Sequence, residues 1–178
     1  YQLGQHSVEL QLSYVHFLAY YDNNVKGATT FLKTALKENL SEQTAARLKM
    51  KLADLFVVQN KFNQALVYYT QIQMAVKNSA LAQQARFKVA KTSFYKGDFD
   101  WAETQLKVLK SSASQLTAND ALELQLLITD HTGIDSLNSA LKQYAKADLL
   151  SLQNKPKEAI KLLDSVLKDY KSDPIIDP

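Results

Sequence analysis

Three histidines, His6, His16 and His131, are the first residues to test for chemistry. None stands in an H-E-x-x-H or H-x-x-x-H arrangement, which would aim two imidazoles from one helix face at a metal. They read instead as solvated or capping side chains. Asp98 and Asp100 place two carboxylates close together, but a calcium loop needs more oxygen ligands and a distant Glu, and neither is present. Asp130 and His131 resemble an acid–base couple without a nucleophile, and they fall where a helix should end. Four scattered glycines form no phosphate-binding loop. The absence of Cys excludes disulfides, thiol catalysis and zinc–thiolate sites. The residue types therefore predict no enzyme, no cofactor and no metal site.

The elements around these residues are easier to read. The chain has 178 residues, 46% of them hydrophobic and 22% charged, which suits a folded protein with a sizeable core. Only four Gly and three Pro are present, and Ala, Leu, Lys, Gln and Glu dominate, so long helices with short turns are expected. Apolar periodicity predicts nine helices near 7–22, 25–39, 42–59, 62–77, 79–95, 99–113, 118–130, 135–153 and 156–170. Stop and start signals separate them. Asp22-Asn23-Asn24 and Asn60-Lys61 are polar breaks. Gly97 suits a left-handed helix end, with Asp98 as the next N-cap. Thr117 with Asp120 resembles a capping box, Gly133 with Asp135 repeats the stop-then-cap order, and Pro156 fits a first helical turn.

The segments after four of these turns match. They begin at Val25, Phe62, Phe99 and Pro156, and each has an Ala three residues on: Ala28, Ala65, Ala102 and Ala159. A large residue follows four later: Leu32, Tyr69, Leu106 and Leu163. The first three alanines are 37 apart (65 − 28 and 102 − 65), whereas the last interval is 57 (159 − 102). The preceding helices repeat as well, with Ala53 and Phe56, Ala90 and Ser93, and Ala147 and Leu150 at matching offsets. Small residues facing one another let two helices close into an antiparallel hairpin. An internal repeat of this length points to stacked helical hairpins. The long last interval leaves two readings. Either the helix at 135–153 serves two hairpins, or 118–130 is an inserted helix.

On Ala53, Phe56, Asn60, Phe62, Ala65 and Tyr69, on Ala90, Gly97, Asp98, Phe99 and Ala102, and on Ala147, Leu150, Asn154, Ala159 and Leu163, the chain resembles the tetratricopeptide repeat (TPR) family. The likeness spans most of residues 7–170. It departs from the family pattern in its 37-residue period and in lacking the early Trp, the Leu-Gly pair and the repeat-closing Pro, save Pro174. The resemblance implies an all-α solenoid of about nine helices over residues 1–172, with an irregular C-terminal repeat and a tail at 173–178. It also implies a non-enzymatic scaffold that binds a protein or peptide on a concave wall built by the first helix of each hairpin. That wall would comprise Phe17, Tyr20, Tyr21, Arg47, Met50, Asp54, Val57, Phe87, Lys91, Phe94, Tyr95, Tyr144 and Asp148. Lys88 and Lys91 stand roughly where family members that hold a terminal carboxylate place their lysines. The partnering Asn is missing, with Ser13 and Phe17 on that helix instead, which argues against that activity.

Partners follow the same logic. A net charge of +3 with interspersed signs offers no basic stripe for nucleic acid. No apolar run is long enough to span a membrane. The chain begins at Tyr1 and ends DPIIDP, the look of a piece of a longer protein, so self-association or stacking on further repeats is the alternative to a peptide groove. The expected compartment is soluble, cytoplasmic or the bacterial cell envelope.

Overall fold

The computed structural model describes residues 8–109, 115–133, 138–171, 173 and 175, with the side chains of 115 and 116 excepted. Among the described residues nine helices form and no strand. They are α1 (Val8–Tyr20), α2 (Val25–Ala35), α3 (Glu42–Val58), α4 (Phe62–Ala75), α5 (Ala80–Lys96), α6 (Phe99–Leu109), α7 (Gln115–His131), α8 (Ser139–Leu152) and α9 (Pro156–Asp169). All nine expected helices are present, with ends displaced by a few residues. Residues 110–113 and 135–137, expected to be helical, lie outside the described residues, as does Asp135. Thr117 and Asp120 lie inside α7 rather than capping it, because the helix starts earlier, at Gln115. None of the helices is long and apolar enough to cross a membrane.

The elbows show why the repeat exists. Asn23, Asn60, Gly97 and Asn154 all adopt positive φ, and the first three are 37 apart (60 − 23 and 97 − 60). Asn and Gly enter the left-handed region at least cost, Asn through local hydrogen bonding and Gly through its missing Cβ. At Asn60, Gly97 and Asn154 the same pair of bonds closes the helix. The N–H of the left-handed residue donates to the carbonyl three back, and the next N–H donates to the carbonyl five back: Lys61 to Phe56 at 2.8 Å, Asp98 to Ser93 at 2.9 Å and Lys155 to Leu150 at 2.9 Å. This double closure satisfies carbonyls that a helix end would otherwise leave unpaired. The chain then re-enters a helix at once, and Ala28, Ala65, Ala102 and Ala159 each donate the first bond of the second helix, to Asn24, Lys61, Asp98 and Lys155. All four alanines are buried. The four elbows therefore hold equivalent local positions, as the spacing predicts.

Other ends use side chains. Asn24 Oδ1 accepts from Gly27 N–H at 2.8 Å, Ser41 Oγ from Thr44 at 3.2 Å and Ser79 Oγ from Ala82 at 3.1 Å. Gly133 ends α7 at φ 83 and donates to Asn138 Oδ1 at 3.0 Å, so Asn138 supplies the partner there.

The chain divides into two compact units, residues 1–85 and 86–178, with the division inside α5. In the first unit α1 pairs with α2 and α3 with α4, and α3 also lies against α1 and α2. Leu32, Leu48, Leu52, Leu55, Tyr69 and Ile72 are fully buried there. In the second unit Ala90 and Phe94 of α5, Phe99, Ala102, Leu106 and Leu109 of α6, Ala121, Leu124 and Ile128 of α7, and Leu141 and Ala145 of α8 make one core. Helix α7 packs on α6, and α8 pairs with α9. The 57-residue interval is thus produced by an additional helix after α6, the second of the two readings.

Candidate functional site

The residues expected on one wall fall into two groups, seven in the first unit and six in the second. In the first unit they lie on α1 and α3, the first helices of successive hairpins, with Tyr21 in the turn just past α1. Arg47 Nη2 bridges to Glu9 Oε1 at 2.6 Å, and Lys51 Nζ stands 3.5 Å from His16 Nδ1 and 5.2 Å from the centre of the Tyr20 ring. These contacts hold α1 beside α3. A cleft of about 450 Å³ opens on this side, lined by Glu9, Leu12, Ser13, His16, Arg47, Met50, Lys51 and Asp54, with Leu81 from the start of α5. Leu12, Met50 and Leu81 give it apolar lining, and Glu9, Arg47, Lys51 and Asp54 bring both signs of charge.

Asp54 Oδ1 accepts a hydrogen bond from the Tyr69 hydroxyl at 2.6 Å, which ties the cleft to the second helix of the hairpin. Burial, and then the negative charge of Asp54, push the Tyr20 phenol above its ordinary value, so it stays a neutral donor.

In the second unit the corresponding residues lie on α5 and α8. Lys91 Nζ meets Asp148 Oδ2 at 2.6 Å and sits 5.3 and 5.5 Å from the ring centres of Phe94 and Tyr95. Burial raises the Tyr95 phenol far above 10, helped by the charge of Asp148, by a hydrogen bond to that carboxylate and by Tyr144. Tyr144 is raised too, by burial and by the charges of Asp148 and Glu123. Both phenols therefore hold their protons more tightly than an exposed tyrosine does.

Of the expected wall residues, Val57 and Phe94, one repeat apart, are buried, and Met50, buried as well, still borders the cleft. The adjacent aromatics separate as helical geometry requires, since neighbours point about 100° apart: Phe94 enters the core while Tyr95 joins the Lys91–Asp148 cluster. Tyr20 is half-buried under Lys51, and Tyr21 is 73% exposed. Phe87 packs against the core of the second unit. Phe17 stands outside the cleft, stacked on Tyr21 at 6.0 Å.

Glu9, Leu12, Lys51 and Leu81 line the cleft without having been singled out, and His16, expected as a solvated or capping side chain, lines it too. The Glu9–Arg47 and His16–Lys51 contacts join residues more than thirty positions apart, which local spacing does not reveal. One signal was available: Asp54, Lys91 and Asp148 hold the same repeat position (intervals 91 − 54 = 37 and 148 − 91 = 57), and opposite charges at one repeat position mark residues that can pair when their helices stack. Among the described residues no group of three or more His, Cys, Asp or Glu could hold a metal ion. Comparison with protein-family models, curated proteins and solved structures gives no match.

Proposed function

We propose that this chain is a non-enzymatic protein-interaction module of the TPR kind, and that it binds a protein or peptide segment in the cleft between α1 and α3. One observation supports the reading above the others. The first helices of successive hairpins lie side by side, and where α1 meets α3 they leave an open trough rather than a filled seam. A lining that mixes apolar side chains with both signs of charge suits a segment that inserts one apolar side chain and is oriented by charge. Glu9 and Asp54 on one side of the balance, Arg47 and Lys51 on the other, favour a segment carrying both signs.

Selection from a displayed peptide library, followed by calorimetry on the enriched sequence, tests this. Lys51→Glu should weaken the enriched peptide by at least about ten-fold while leaving helicity intact. An enriched peptide that binds the variant unchanged, or no enrichment at all, contradicts the reading.

A further inference from the structure

Of the helices formed by the described residues, α4 alone contains no Asp, Glu, Lys or Arg. It is nevertheless open to water along one side. Gln64, Val67, Gln71 and Met74 follow one another at intervals of three, four and three, which makes a single stripe. All four are exposed, Val67 at 55% and Met74 at 67%. The solvent face of a helix ordinarily carries charged side chains. A surface poor in Lys, Glu and Asp and bearing Met has the composition that proteins place at the centre of an interface.

The stripe begins at a cavity. Asn63, Gln64, Val67 and Tyr68 of α4, Lys33 of α2 and Phe56 of α3 line about 330 Å³. The repeat accounts for it. One repeat to either side, the position of Phe56 holds Ala19 and Ser93 (56 − 19 and 93 − 56 are both 37). A ring where its equivalents are small therefore stands between α2 and α4. Lys33 Nζ lies 5.6 Å from its centre, and Tyr68 stacks on it at 5.7 Å. Phe56 itself is buried, so α3 supplies a fixed wall on which the α2 and α4 side chains rest.

Charge at this cavity is one-sided. Lys33 is exposed, it has no carboxylate partner among the described residues, and no carboxylate lines the cavity. The α1–α3 cleft differs, since Arg47 is met there by Glu9. An aliphatic or aromatic side chain inserted beside Val67 and Tyr68 would lie against apolar atoms, and an acid next to it would meet the Lys33 ammonium. Asn63 and Gln64 add amides that can donate to or accept from a backbone.

We propose that α4 is a docking surface for a second protein, whose segment sets a large apolar side chain in this cavity, a carboxylate on Lys33 and an uncharged continuation along the stripe to Met74. Charge complementarity selects the acid, because a basic segment would meet a like charge with no carboxylate in the lining to balance it. The stripe selects the uncharged continuation, because a charged side chain laid on it would lose water and gain no counter-charge. This surface is separate from the α1–α3 cleft, and the proposal does not depend on peptide binding there.

A displayed library of random linear peptides supplies the probe. Peptides that bind the chain are kept, and those that also bind Val67→Asp are discarded, which removes any that sit in the α1–α3 cleft. The retained peptides should share a large apolar residue beside an Asp or Glu. In calorimetry a retained peptide should bind Met74→Asp and Lys33→Glu at least about ten-fold more weakly than the parent chain. Replacing its acid by lysine should restore most of the affinity for Lys33→Glu. Lys51→Glu, in the cleft, should bind it as the parent does. No retained peptide, retained peptides without an acid, or equal binding by Lys33→Glu overturns the proposal. So does self-association of the chain in light scattering that Val67→Asp abolishes, since a second copy would then be the occupant. Circular dichroism checks folding, and Val67→Gln and Met74→Gln replace either aspartate variant if it melts early.

Discussion

The two units solve one packing problem differently. Each sets the first helix of a hairpin beside the first helix of an earlier one. In the first unit α1 and α3 are joined along one edge by Arg47–Glu9 and Lys51–His16, and a cleft remains open. In the second unit α5 and α8 are locked by Lys91–Asp148, with Tyr95 and Tyr144 gathered around the carboxylate. The repeat position that carries Lys91 and Asp148 in the second unit carries Phe17 and Asp54 in the first. A phenyl ring cannot bridge to a carboxylate, so Asp54 turns to Tyr69 instead. One residue type at one repeat position thus separates a bridged seam from a trough. An added helix, α7, distinguishes the second unit further, and it contributes Ala121, Leu124 and Ile128 to that unit's core.

The comparison can be broken most forcefully in the second core. Phe94→Ala removes a fully buried ring and should cost about 3–5 kcal/mol, read from urea unfolding followed by the fluorescence of Trp101, the only Trp. A cost near zero would mean that the ring is not in the core. Next come the small residues common to both units. Ala65→Leu in the first and Ala102→Leu in the second should each overpack a hairpin and cost about 1–3 kcal/mol. An unchanged melting temperature in either would show that alanine facing water.

The elbows give a finer test. A Cβ at Gly97 would meet only Lys142 carbons, at 3.6 Å, so there is room for it. The cost of Gly97→Ala is therefore one of backbone conformation, about 1–2 kcal/mol, and Gly97→Asn should recover much of it, since Asn serves at the equivalent Asn60 and Asn154. Equal stability of the Ala and Asn variants in thermal melts would remove the left-handed elbow as the reason for the repeat.

The smallest effect belongs to the bridged seam. Lys91 and Asp148 are each about one-third exposed, and water screens them, so Asp148→Asn should cost about 1 kcal/mol or less. Its clearer signature is optical, because the Tyr95 and Tyr144 phenols should titrate at lower pH once the carboxylate charge is gone. The sign for stability follows from the raised phenols. Below about pH 10 the unfolded chain also keeps its phenols protonated and nothing is lost; above it the unfolded chain releases protons that folded Tyr95 retains, so stability falls as pH rises. Tyr95→Phe should flatten part of that fall. An alkaline unfolding profile identical to that of the parent chain would separate Tyr95 from the seam.

Much of this was legible in the residues. Nine helices, the hairpin pairing and the four elbows follow from Ala spacing and from Asn and Gly at the turns, because helix capping and close helix approach are local matters. Burial of Val57 and Phe94 was not, since both stand on first helices at positions where one helix face grades into another. The cleft was not legible either. Glu9–Arg47 joins residues on different hairpins, and whether two helices leave a trough depends on the angle at which they meet. The additional helix could be counted from the 57-residue interval, but its packing on α6 could not.

The chain's lack of Cys makes the central geometry directly testable. Paired cysteines introduced at Glu9 and Arg47, and separately at Lys91 and Asp148, can be joined by a short bifunctional thiol reagent. Side-by-side first helices in this register predict rapid cross-linking within one molecule for both pairs. A pair at Glu9 and Asp54, displaced by about two helical turns, should react far more slowly. Equal reaction of all three pairs, or cross-links formed only between molecules, would contradict the account.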